Sequence, residues 1–161
     1  MARVVSEAAL EFDRTLQEIG AEHLSPEAGR RAALAAAADL LWESHLGPLY
    51  TTRQVRDLMD VSRQAINERV QRGALLALSQ ENGDYLYPAF QFGKRGNPKK
   101  AIIEALSVFP QEVADRHTVA SWFVTPQPLL DRRTPVDWVD AGESTKTLVE
   151  AAQKAAARLK Q

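Results

Sequence analysis

The sequence contains no cysteine. Disulfides and thiolate metal ligands are therefore excluded, and the composition fits a reducing compartment. No run of about 18 apolar residues occurs, so no segment reads as a membrane-spanning helix. The first residues lack the basic-then-apolar order of a signal peptide, and the expected location is the cytoplasm. Neither sign of charge dominates: 20 Lys and Arg face 21 Asp and Glu, for a formal net charge of −1. That balance alone argues against a nucleic-acid binder. Catalytic patterns are missing too. There is no Gly-rich phosphate loop, no HExxH and no GxSxG. His23, His45 and His117 are scattered without partner spacing, and Asp137 and Asp140 serve mainly the dipole of a short helix. The expectation is a protein that is not an enzyme, with no cofactor, no metal and no internal repeats.

What is present is an uneven distribution of charge. Residues 1–49 hold four basic and eight acidic side chains, residues 50–100 hold nine and five, and residues 101–161 hold seven and eight. The positive excess sits on the segment that looks like a DNA reader. Thr51–Gly73 reads TTRQVRDLMDVSRQAINERVQRG. Thr51 or Thr52 can cap a helix whose inner face is Val55, Leu58 and Met59. Asp60-Val61-Ser62 breaks it, and Ser62 can cap a second helix with Ile66 and Val70 inward and Gly73 at its end. Two short helices across a three-residue turn form a helix-turn-helix. Arg63, Gln64, Asn67 and Gln71 then lie on the outer face of the second helix, where Gln and Asn can read adenine and Arg guanine. Ser62 lies at its start, and Arg53 on the first helix is placed for a phosphate.

Leu75–Leu78, a turn at Gln80–Asp84 containing Asn82-Gly83, and Tyr85–Tyr87 read as a β-hairpin. A hairpin directly after a reading helix is a wing. The expected fold is mainly α, with a helix-turn-helix, a two-stranded β wing and a C-terminal helical domain. The divisions are 1–48 (two helices, Ser6 to about Ile19 and Pro26 to about Ser44), 49–92 (the winged reader) and 98–161 (helices at 101–109, from Pro110 through Val113 to Phe123, at 136–141 and from about 145 to 159). Gly93–Pro98 is the expected hinge. A modest positive excess suggests that two copies pair, with the acidic N-terminal helices as the first candidate interface.

Residues 121–142 read SWFVTPQPLLDRRTPVDWVDAG. A Trp, a short Pro-containing link, a Leu, and a Thr-Pro helix closed by Gly before a final helix resemble the Xre/MbcA/ParS toxin-binding domain. The resemblance covers roughly residues 100–159, and Arg132-Arg133 replaces the small residues frequent in the family. It implies an antitoxin that blocks a RES-domain, NAD-degrading toxin and represses its own operon by binding operator DNA. The surface it implies for the toxin comprises Gln127, Leu130, Arg132, Arg133 and Trp138, with Lys154, Arg158 and Lys160 on the last helix. Trp122 and Trp138 read more readily as core residues than as contact residues. The competing reading is a stand-alone winged regulator, excisionase-like or MerR-like, whose C-terminal helices dimerise or sense a ligand.

Overall fold

The computed structural model describes residues 6–160 except Glu22 and Val113, and only the backbone at Asp39. Val113, placed on the expected helix after Pro110, therefore lies outside the described residues. The chain divides into two compact units after Leu41.

The first unit holds α1 (Glu7–Glu18) and most of α2 (Pro26–Leu46). Both starts follow from their caps. Ser6 Oγ accepts from the Ala9 N–H and Ser25 Oγ from the Ala28 N–H, each at 3.2 Å, and Pro26 opens α2 with the φ a first turn needs. None of the described residues 6–41 is buried. Leu10, Ile19, Leu24, Leu34, Leu40 and Leu41 are all exposed.

The second unit begins with β1 (Leu49–Thr51), α3 (Thr52–Met59), α4 (Arg63–Gln71), β2 (Leu78–Ser79) and β3 (Tyr85–Pro88). It continues with α5 (Lys100–Leu106), α6 (Arg116–Phe123), α7 (Pro135–Asp140) and α8 (Thr145–Leu159). The mainly helical class with a small β wing is as expected. The sheet, however, has three strands in the order β1-β3-β2, all antiparallel. The extra strand pairs Tyr50 with Tyr87 and Leu49 with Pro88. Three residues are too few to show the alternation that marks a strand. The hairpin turn closes as the Asn82-Gly83 signal suggests. Gly83 takes φ 85°, and the Asp84 N–H donates to Asn82 Oδ1 at 2.9 Å. No helix among the described residues is long and apolar enough to cross a membrane.

Residues 75–78 explain why this unit is continuous. Side chains of an extended chain alternate between faces. Leu75 and Ala77 enter a core with Val55, Met59, Ile66, Tyr87 and Phe92. Leu76 and Leu78 enter a second core with Ile102, Leu106, Phe123, Leu130 and Leu148. The reader and the C-terminal helices thus share buried surface, and residues 49–92 and 98–161 do not separate into two packed bodies. The expected hinge is a closed turn: Gly93 N–H donates to Asn97 C=O at 2.8 Å and Lys99 N–H to Gln91 C=O at 2.7 Å. Pairing of these backbone groups outweighs the flexibility that two glycines would otherwise confer.

Pro110 does not start a helix. The helix begins at Arg116 because Asp115 caps it, accepting from the Thr118 N–H at 3.1 Å. Burial pushes the Asp115 carboxyl pKa up, but bonds from Thr118 and His117 and the His117 charge outweigh it, leaving it below the ordinary value.

Candidate nucleic-acid interface

α3 is fixed at its start by a capping box. Thr51 Oγ1 accepts from the Gln54 N–H, and Gln54 Oε1 accepts from the Thr51 N–H. Val55 and Met59, one turn apart, are its buried residues. Leu58, expected on that inner face, is exposed instead, and its side chain lies beside Gly96.

The turn depends on Asp60, which adopts the left-handed conformation at φ 53°. Gly often fills such a position, but Asp tolerates it better than most residues. Ser62 then caps α4, its hydroxyl accepting from the Ala65 N–H at 3.2 Å. That hydroxyl is committed to the helix start.

Ile66 is fully buried and pins α4 against α3. Arg69 reinforces the pair by donating from Nη1 to Met59 Sδ at 3.7 Å. The opposite face is open: Arg63, Gln64, Asn67 and Gln71 are all exposed. Gln64 makes one long bond to Glu68 at 3.4 Å, which a base edge can replace. Arg53 is exposed near the start of α3. The structure therefore places every expected DNA-reading residue on the surface, and the α4 set on one helix. Helix-turn-helix proteins read bases with the N-terminal residues of the second helix while the first crosses the backbone. Arg63, Gln64 and Asn67 fall within the first five residues of α4.

No family model and no curated protein matches this sequence. Among solved structures it is similar to Rv2175c, determined by NMR, with a TM-score of 0.57 and 23% identity over 68% of this chain and 81% of that one. At that identity the likeness concerns the fold.

The residues expected at a toxin surface are distributed differently. Leu130 is fully buried; it fills the second core under a short 3₁₀ turn at Pro128–Leu130 and cannot meet a partner. Trp138 is buried as well, with its indole N–H donating to the Ser144 carbonyl at 2.9 Å. Arg133 stacks over that indole at 4.6 Å and pairs with Glu143 at 3.0 Å. It works as a cover for Trp138. Gln127 is half-buried and ties the connector through its backbone to Arg133. Only Arg132, Lys154, Arg158 and Lys160 of the set are exposed.

Connector and last helix do meet. Gln127, Leu129, Ala151, Lys154, Ala155 and Arg158 line a cleft of about 210 Å³. Leu129 is the exposed apolar residue of the connector, one position from the one the sequence suggested.

Asp131 and Arg132 are both left-handed, at φ 54° and 60°. The conformation costs roughly 1–2 kcal/mol for a residue with a Cβ. Arg132→Gly is expected to stabilise the chain by about 0.5–1 kcal/mol, after allowing for the extra freedom glycine gains when unfolded. Thermal unfolding of the two proteins checks this; a lower midpoint for the variant would show that the Arg132 side chain contributes more than its backbone costs.

Proposed function

We propose that this protein is a sequence-specific, duplex-DNA-binding regulator that reads the major groove with α4. The observation that carries this reading is the exposed row Arg63, Gln64, Asn67 and Gln71 on a helix clamped by Ile66 and capped at Ser62. Arg offers a bidentate fork to guanine, and Asn and Gln a donor–acceptor pair to adenine. The protein acts as paired copies reading two half-sites about one helical turn apart. The uncovered leucines of α1 and α2 support that pairing.

Selection of duplexes from a random pool by the full chain tests the proposal. Each good bidentate contact is worth about 1–3 kcal/mol of discrimination. The double variant Arg63→Ala/Asn67→Ala should therefore lose at least about tenfold in preference for the selected duplex over a scrambled one. Its weak binding to the scrambled duplex should change far less. Two copies per selected duplex are expected by light scattering. An unchanged preference would remove α4 as the reader.

A second reading keeps this DNA-binding function and adds neutralisation of a RES-domain, NAD-degrading toxin. It is supported by the cleft that Leu129 of the connector lines together with Lys154 and Arg158 of α8. Because the C-terminal helices share a core with the wing, the whole chain would be the inhibitor. Co-expression of the full chain with such a toxin tests it. Lys154→Glu/Arg158→Glu should restore toxicity without altering DNA binding.

A further inference from the structure

The helix-turn-helix carries less net charge than its segment suggests. Residues 52–72 hold five arginines against Asp57, Asp60 and Glu68, an excess of two. The wing between its strands holds Glu81 and Asp84, both exposed, and no cation. Reader and wing together are therefore neutral, and the tip of this wing would repel a phosphate. The whole positive excess of residues 50–100 lies in Lys94, Arg95, Lys99 and Lys100.

We infer that the turn at 93–98 is a second DNA-phosphate site, taking the place that a basic wing would otherwise fill, and that Lys94 and Arg95 are its contacts. This rests on the DNA-binding reading of α4. The turn is built onto the reader. Gly96, at φ 81°, lies so close to the Leu58 carbonyl that a Cβ would overlap it. Leu58 is in the last turn of α3, just ahead of the Asp60–Ser62 turn that leads into α4. The loop is thus fixed beside the helix that crosses the DNA backbone in this motif. Its own shape is held by the Gly93–Asn97 and Gly93–Gly96 backbone bonds.

The four cations are not equivalent. Lys99 is bound to Asp140 at 2.6 Å and is spent within the fold. Lys94, Arg95 and Lys100 are exposed and have no ion pair among the described residues, but Lys100 opens α5, while Lys94 and Arg95 stand in the turn itself. They are the free charges at the loop tip.

The test is the salt dependence of affinity of the full chain for its selected duplex and for a scrambled one. Each phosphate neutralised contributes about 0.9 to the slope of log K against log salt. Lys94→Ala/Arg95→Ala should flatten that slope by about 2, weaken both duplexes alike, and leave the preference between them and the unfolding midpoint unchanged. An unchanged slope would overturn the loop assignment while leaving α4 as reader. A lost preference would also overturn it, because the loop would then be reading bases. Failure of the unaltered chain to bind any duplex at low salt would overturn this inference and the DNA-binding proposal together.

Discussion

Gly96→Ala should destabilise the protein clearly more than Gly83→Ala, although both glycines adopt nearly the same backbone conformation. Their φ values are 81° and 85°. Either substitution places a Cβ in the left-handed region, at about 1–2 kcal/mol. At Gly83 nothing lies within 4 Å of the added carbon, so the conformational cost is the whole effect. At Gly96 the new carbon meets the Leu58 carbonyl oxygen and carbon. These are backbone atoms of a helix and cannot swing aside, so the 93–98 turn must lift from α3. The gap between the two variants in denaturant midpoint measures that contact. The Gly96 variant should also lose DNA affinity as Lys94→Ala/Arg95→Ala does, since the same two cations are displaced. Equal destabilisation by the two substitutions would mean that the turn is not seated on α3.

The second large effect is expected at Gln91, the buried polar side chain among the described core residues. Its Oε1 accepts from the Leu76 N–H at 2.9 Å. Its Nε2 donates to the Leu76 carbonyl at 3.0 Å and to the Pro88 carbonyl at 3.1 Å. Leu76 is itself buried and lies in the extended stretch just before β2, so the Gln91 amide supplies the pairing that a neighbouring strand would give. Gln91→Ala strands the Leu76 N–H and carbonyl in the core. Each buried group left unpaired costs about 1–3 kcal/mol, so a loss of roughly 2–5 kcal/mol is expected in equilibrium unfolding. Gln91→Met keeps the bulk but not the bonds and should rescue little. A loss below about 1 kcal/mol would show that the Leu76 backbone finds other partners.

The legible parts of this fold were those written in local chemistry. Ser62 and Thr51 each cap the helix that follows them, and Asn82-Gly83 turns the hairpin. Ile66 and the exposed row on α4 followed from helical spacing alone. What sequence could not show was which apolar residues meet across long separations. Leu130 and Leu129 are adjacent leucines on a short link, and only the 3₁₀ turn decides that Leu130 goes inward. Trp138 reads as a core residue from sequence even though the resemblance offers it to a partner, and Ser144 and Arg133 enclose it. The 93–98 stretch had every mark of a hinge, because glycine, proline and charge mark tight docked turns equally well. The observation that separates the two is the approach of Gly96 to Leu58, a contact between segments far apart in the chain. The β1 strand was too short to carry a pattern at all.

The most direct test of the central claim is a map of backbone amide shifts in the full chain as the selected duplex is added. Shifts concentrated in residues 62–71, with a second group at 94–96, are expected, while α8 stays unperturbed. Shifts centred on 127–133 and 151–158 with α4 silent would contradict it, because the DNA would then be meeting a face other than the reading helix.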